Sequence, residues 1–306
     1  MKKALILWGE KYLFSPGPLE KLLSAFLFPL SVLYCFIVWI KYKNARPIDF
    51  NIPIISVGNL IVGGSGKTPL TVALAQKFEG VAIILRGYGR ESQGVHLVSN
   101  AKEILCDVKT SGDEAMLYAH LLPKAMVIVA EDRVEGIKLA QEQGAKLIFL
   151  DDAYSKHFIK KLDILIVSEQ KNLFCLPSGP FRERLWKGKE ALVLQENQDF
   201  VREVSISNEK EKMVLVTAIS KPQRLDPYLP AKVIDKVYFP DHHAFSKSEL
   251  EQILDAFDAE TLLVTHKDAV KMEGFGLPLS YLDLQIQVEA TVHENVQEYV
   301  KIAKNK

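Results

Sequence analysis

Gly63-Gly64-Ser65-Gly66-Lys67-Thr68 sets three glycines, two hydroxyl residues and one lysine in a single short run, a composition that could turn backbone N–H groups inward beside an ammonium. An apolar, strand-like run precedes it, Ile52-Pro53-Ile54-Ile55-Ser56-Val57, and a helix-like run follows, Pro69-Leu70-Thr71-Val72-Ala73-Leu74-Ala75. Glycines let the backbone turn tightly, and the helix start adds positive dipole at the same spot. Lys67 can reach the outer phosphates of a nucleotide, and Thr68 can give its hydroxyl to Mg2+. The pattern therefore predicts a nucleotide triphosphate cradle. It departs from the usual spacing, which asks for glycine where Ile61 stands, so the turn falls to Gly63 and Gly64. The competing reading is a glycine-rich strand-to-helix loop that holds Gly-Lys-Thr by chance.

Carboxylates and imidazoles at other strand ends could complete a reaction centre. Asp151 follows the apolar run Leu147-Ile148-Phe149-Leu150. A carboxylate there, beside a glycine cradle, holds Mg2+ directly or through water. Asp152 adds a second negative charge; the alternative is a pair of solvated turn aspartates. Asp113 follows Gly112 at a helix start, where it could be an N-cap or a general base toward a hydroxyl. His242, in Pro240-Asp241-His242-His243, could share that proton with Asp113. The Asp-His-His run could also ligate a metal, but spacing places no third ligand. Arg86, Arg90 and Arg133 could meet phosphate charge or be surface residues.

Strand-like runs at 81–85, 125–129, 147–150 and 163–167 alternate with helical runs at 115–122 and from 133 to about 143. That alternation predicts an α/β fold: a P-loop NTPase-like, mostly parallel sheet with helices on both faces. The segment 195–212 is polar and reads as a link to a second, smaller α/β lobe with strands at 214–217, 233–239, 262–265 and 282–288. Three parts result: 1–46, a membrane-associated segment; 47–200, the P-loop core; and 201–306, the lobe carrying the Asp-His segment.

The chain of 306 residues is 48% hydrophobic and 25% charged, with 38 basic and 38 acidic residues. A neutral chain lacks the broad basic field that nucleic-acid binding uses, so no nucleic-acid partner is expected. Cys35, Cys106 and Cys175 have no metal or redox spacing, and three unpaired thiols fit a reducing compartment. Residues 22–40 carry no charge. As a helix they span about 28 Å, near the ~30 Å of a bilayer core. Pro29 would kink such a helix. The segment could span the bilayer, embed as a kinked anchor, act as a signal peptide or be a buried soluble helix. The signal-peptide reading is weakest, because no small-residue cleavage site follows. ATP is cytoplasmic, which places the chain beyond Lys41 on that side.

Taken in order, these blocks resemble tetraacyldisaccharide 4'-kinases. The resemblance rests on Val57-Gly58-Asn59-Leu60 with Gly63 to Pro69, Arg86-Gly87-Tyr88, Gly112-Asp113-Glu114, Leu150-Asp151-Asp152, and Leu176-Pro177-Ser178-Gly179-Pro180 with Arg182-Glu183. It continues in Pro240-Asp241-His242 and in Thr265 with Lys267-Asp268-Ala269-Val270-Lys271. That family's loop also lacks the first glycine. One departure stands out. The family continues its double aspartate with an aromatic residue, Gln and His, whereas this chain reads Ala153-Tyr154-Ser155-Lys156-His157.

The resemblance implies transfer of the ATP γ-phosphate to the 4'-hydroxyl of a tetraacylated, 1-phosphorylated glucosamine disaccharide, forming lipid IVA in lipid A biosynthesis. It implies ATP and Mg2+ as cofactors, with Gly63, Gly64, Ser65, Gly66, Lys67 and Thr68 around the nucleotide and Thr68 and Asp151 on the metal. Asp113 and His242 match the base pair for the sugar hydroxyl, Lys67 and Asp152 further catalytic positions, and Tyr88 and Arg133 positions near the lipid or phosphate substrate. The implied setting is the inner membrane with catalytic lobes on the cytoplasmic side, a lipid disaccharide substrate and a monomeric enzyme. Two rivals need less: a membrane-tethered P-loop NTPase using hydrolysis as a switch or in transport, and a non-catalytic nucleotide-binding scaffold.

Overall fold

A computed structural model describes residues 2–63, 66–219, 222–241 and 243–304, with side chains from Trp8 onward. Gly64, Ser65 and His242 lie outside the described residues. In chain order, α1 (Lys2–Phe14) and α2 (Pro18–Lys43) precede β1 (Ile54–Gly58), α3 (Lys67–Ala75), β2 (Val81–Leu85) and β3 (His96–Asn100). Then come α4 (Val108–Ser111), α5 (Asp113–Leu121), β4 (Met126–Val129), α6 (Arg133–Glu142), β5 (Leu147–Asp151), β6 (Leu162–Val167) and β7 (Leu192–Gln195). The chain closes with β8 (Phe200–Ser207), β9 (Met213–Thr217), β10 (Val233–Tyr238), α7 (Lys247–Ala256), β11 (Thr261–Thr265), α8 (His266–Ala269), β12 (Leu279–Val288) and α9 (Ala290–Lys304).

Residues group into two compact units, each visited more than once by the chain. The first holds 1–71, 147–201 and 288–306. Its strands run β5-β1-β6-β7, every neighbouring pair parallel. β1 and β5 are buried at every position, which is why both read as continuous apolar runs rather than alternating ones. The register sets Val57 beside Asp151, so both strands deliver their carboxyl ends to the same edge. Val292, Val296 and Val300 form the buried stripe of α9 at helical spacing, and Tyr299 donates its hydroxyl to the Ile54 carbonyl at 2.9 Å.

The second unit holds 72–146 and 202–287. β2 and β4 pair in parallel, with β3 antiparallel on the far side of β4. A separate five-stranded sheet has the order β10-β9-β11-β12-β8. Alternation splits β9 between two cores. Val214 and Val216 pack with Leu250 of α7, while Met213 and Leu215 pack with Leu263 and Leu282. The expected link at 195–212 is corrected here: its centre is β8, whose side chains alternate between inward and solvent-facing, so it reads as polar overall.

α2 is long and apolar enough to cross a membrane. Ser24, Ser31 and Val38, spaced by seven, form its buried stripe. Leu22, Phe26, Leu30, Leu33 and Phe36 are exposed. Pro29 sits inside the helix without ending it. The stripe docks on residues 172–182. Ser24 Oγ donates to the Ser178 carbonyl, Ser31 Oγ accepts from Ser178 N, and Tyr34 donates to the Arg182 carbonyl. This docking also corrects the reading of three unpaired thiols. Cys35 on α2 is disulfide-bonded to Cys175, while Cys106 is free. The partners are 140 residues apart, a pairing that only the docked helix brings about.

Candidate active site

The loop after β1 makes its turn where glycine permits it. Gly63 has φ +94° and Gly66 φ +82°, conformations costly for any residue with a Cβ. Ile61 needs no such freedom. It forms an antiparallel bridge with Phe181, an extended conformation suited to a β-branched residue. Val62 N donates to the Pro180 carbonyl, and Arg182 N and Glu183 N both donate to the Leu60 carbonyl. The segment that grips α2 thus also holds the approach to the glycine loop.

Lys67 opens α3, half-buried, with its ammonium 3.6 Å from Asp152 Oδ1 and 3.5 Å from Asn59 Oδ1. Arg182 closes the cluster with an ion pair to Asp152 and a 2.8 Å bond to Asn59 Oδ1. Two cations, one carboxylate and one carboxamide therefore meet beside the loop. Net positive charge there suits a polyphosphate, which would draw both cations off Asp152. Asp152 holds φ +50°, a rare backbone state for a residue with a side chain, next to a buried Asp151 that ends β5. Thr68 lies in the first turn of α3. Its hydroxyl and the Asp151 carboxylate are hard oxygen donors, and Mg2+ accepts one or two such ligands plus phosphate oxygens. No group of three His, Cys, Asp or Glu gathers as a metal cage among the described residues, and Mg2+ in such a site does not require one.

The second unit carries another cluster. Gly112, at φ +81°, is the N-cap of α5, so Asp113 is its first helical residue rather than the cap. Asp113 is 7% exposed, and its Oδ2 lies 3.6 Å from the Lys267 ammonium at the start of α8. The 86–90 loop packs against the same turn. A Cβ on Gly112 would come within 3.1 Å of the Tyr88 carbonyl. The Tyr88 side chain is 67% exposed. Lys271 reaches the His243 carbonyl at 3.4 Å. The His243 ring itself is engaged with Glu249 at 2.7 Å. Arg133 is buried at the start of α6 and donates to the Ala130 carbonyl. Arg90 is likewise occupied, pairing with Glu131, while Arg86 is exposed.

A model of the LpxK family, tetraacyldisaccharide-1-P 4'-kinase, matches residues 23–301. The chain belongs to the LpxK family. A tetraacyldisaccharide 4'-kinase of Aliarcobacter butzleri is 48% identical over 302 residues, covering 95% of this chain and 96% of the relative. One from Helicobacter pylori is 44% identical over 294 residues, covering 95% and 94%. Among solved structures, LpxK from Aquifex aeolicus in complex with ATP superposes with a TM-score of 0.76 at 27% identity, over 92% of this chain and 99% of that one.

Contacts separate the motif residues of this LpxK family member. Asn59, Arg182 and Lys267 lie inside the matching blocks, yet residue type alone gave none of them a role; they surround Lys67 and Asp113. Asp268, one residue from Lys267, is instead fully buried and accepts from Thr217, Thr265, the Ala218 amide and Lys271. It is a structural hub that shapes the turn presenting Lys267. Ser178 serves the docking of α2.

Proposed function

We propose that this member of the LpxK family is an ATP-dependent tetraacyldisaccharide 4'-kinase of lipid A synthesis. The observation that carries this reading is the Lys67–Asp152–Arg182–Asn59 cluster beside a glycine turn, in a chain aligned over nearly its whole length with enzymes of that name. Phosphoryl transfer requires positioning and charge neutralisation more than covalent help from protein groups. Loop amides from Gly63 to Gly66, with Lys67, take the β- and γ-phosphate charge. Thr68 and Asp151 would hold Mg2+, which would supply further charge neutralisation. Asp152 hands Lys67 and Arg182 over to the phosphates.

Asp113 and His242 take the proton of the attacking sugar hydroxyl. Lys267, 3.6 Å from Asp113, holds that carboxylate in position. Tyr88 and Arg133 complete the substrate side, Tyr88 by contact from its exposed ring and Arg133 by supporting the turn after β4.

The acyl chains dictate the setting. Moving each CH2 from bilayer to water costs ~0.8 kcal/mol, so the enzyme works at the membrane that holds its substrate. The exposed apolar face of α2 supplies the attachment, within the 1–46 segment, at the inner membrane with residues 47–306 on the cytoplasmic side. The enzyme acts as a monomer.

One assay tests the reading: purified protein, labelled ATP and the disaccharide lipid in mixed micelles. Label on the lipid is the expected result. Label released only as free phosphate would make the chain a tethered NTPase, and no turnover a nucleotide-binding scaffold.

A further inference from the structure

Two lysines are buried beside one aspartate in the first unit. Asp163 sits inside β6, in register with Ser56 of β1, and Lys161 stands just before that strand. Lys189 comes from the segment that leads into β7. Asp163 Oδ1 lies 3.3 Å from the Lys161 ammonium and Oδ2 lies 3.0 Å from that of Lys189, and all three side chains are almost fully buried. Taking ammonium groups out of water is costly even when they are paired, and well-packed hydrocarbon would fill the same space without that penalty.

What the two ammonium groups reach gives their use. Lys161 donates to the Lys156 carbonyl at 3.0 Å. Lys189 lies 3.4 Å from the Tyr154 carbonyl, 2.7 Å from His157 Nδ1 and 4.0 Å from the centre of the Tyr154 ring. Tyr154 is buried, its hydroxyl donates to the Arg184 carbonyl, and its Cβ packs against Gly58 at the end of β1. Both lysines therefore grip one turn, residues 152–157, by its carbonyls and its aromatic ring.

That turn begins at Asp152, whose φ is +50°. A residue with a side chain keeps such a backbone state only where its surroundings impose it. Asp152 N donates to the Val57 carbonyl and Lys156 N to the Ala153 carbonyl, and the two lysines fasten the carbonyls of Tyr154 and Lys156. We propose that Lys161 and Lys189, joined through Asp163, form a buried clamp that holds Asp152 in its strained state and so poises its carboxylate between Lys67 and Arg182. The three act through Asp152 and are positioning residues. The proposal rests on the kinase reading above and names what sets the geometry of its lysine cluster.

The test is a double-mutant cycle on the full-length protein in mixed micelles at neutral pH. Lys189→Met keeps an unbranched side chain and removes the charge. Lipid phosphorylation should lose on the order of tenfold or more in kcat, as small displacements of a reacting group do. Lys189→Arg, which restores a cation beside Asp163, should recover most of that loss. In an Asp152→Asn background the Lys189→Met change should cost little further, because the clamp acts through Asp152. Losses that multiply would make Lys189 a general support of the fold and overturn the proposal, as would an unchanged kcat in Lys189→Met. Hydrogen–deuterium exchange of the unliganded protein needs no turnover. Lys189→Met should speed exchange in peptides covering 152–157 while β1 and β6 keep their protection. Unchanged exchange there, or a rise throughout the first unit, overturns the clamp. Should Lys189→Met fail to fold, Lys161→Met, which frees the Lys156 carbonyl, takes its place in both measurements with the same deciding outcomes. Wild-type protein that never labels the lipid would end the kinase reading, and the exchange result would then decide the clamp alone.

Discussion

Ser24 and Ser178, 154 residues apart, exchange two hydrogen bonds: each hydroxyl donates to the other's backbone carbonyl at 2.8 Å. Both residues are buried. The contact locks α2 onto the 172–182 segment, and that segment in turn holds Leu60 and Val62 before the glycine loop. The apolar helix and the glycine loop thus share one mechanical part.

Gly179 is where that part has least tolerance. An added Cβ would meet the Phe174 carbonyl at 2.4 Å and Asn172 Oδ1 at 2.7 Å, so Gly179→Ala must displace the loop. Overpacking of this kind costs about 2–3 kcal/mol. Ser178→Ala loses one hydrogen bond and costs about 1 kcal/mol. Denaturant unfolding in detergent should rank Gly179→Ala well below Ser178→Ala. ATP affinity should fall in Gly179→Ala although residue 179 contributes nothing to the nucleotide cradle. Unaltered ATP binding would break the proposed link between anchor and loop. Deleting residues 1–40 should release the protein from membranes and produce the same loss of ATP affinity; a truncate that stays fully membrane-bound places the anchor elsewhere.

Lys67→Ala and Thr68→Ala test the cradle. Each removes a group directed at phosphate or metal, and turnover should fall by on the order of 100-fold or more. Asp152→Asn should act differently. In the unliganded protein it leaves Lys67 and Arg182 without their carboxylate, so ATP affinity should hold or rise while turnover drops. Near-normal transfer in Lys67→Ala would remove the cradle from the mechanism.

How much of this was legible in sequence depends on how local the signal is. β1, β2 and β5 announce themselves because buried parallel strands are apolar throughout. β8 hid inside a polar stretch because Glu203, Ser205 and Ser207 face outward and Arg202 stands among its inward-facing residues, so the apolar members never form a continuous run. β3 and β7 are short and only partly buried. Ile61 looked like a defect in the glycine motif; its bridge to Phe181, 120 positions away, is invisible to spacing. The same holds for Cys35 with Cys175, and for Arg182 and Asn59 around Lys67. The candidate residues could be named from the motif blocks, but the side chains that surround them required the fold.

Asp113 tests the acceptor side. As a base it should affect turnover far more than ATP affinity, and Asp113→Ala should lower kcat with little change in the ATP KM. Lys267→Met removes the cation 3.6 Å from that carboxylate. That pair holds the carboxylate in position, so its loss should lower kcat with little change in the ATP KM. If Asp113→Ala changes ATP binding alone, the residue is only part of the helix start.

The last prediction concerns stability. Lys161, its side chain almost fully buried, lies 3.3 Å from Asp163, which Lys189 also contacts. Burial brings the Lys161 amine down from an ordinary value of 10.5 to about 8, against the opposing pull of the Asp163 charge. Unfolded, the amine keeps its proton up to the ordinary value; folded, it gives it up earlier. Between about 8 and 10.5 the unfolded chain therefore binds the extra proton. Stability from this group rises with pH across that window, and the burdened, charged form is fully present below it. Lys161→Met has no such proton to lose. Denaturant midpoints measured across the window should show the difference between wild type and Lys161→Met shifting steadily in favour of the wild type as pH rises. A difference that stays flat would mean Lys161 remains charged in the folded protein throughout, with Asp163 compensating its burial in full.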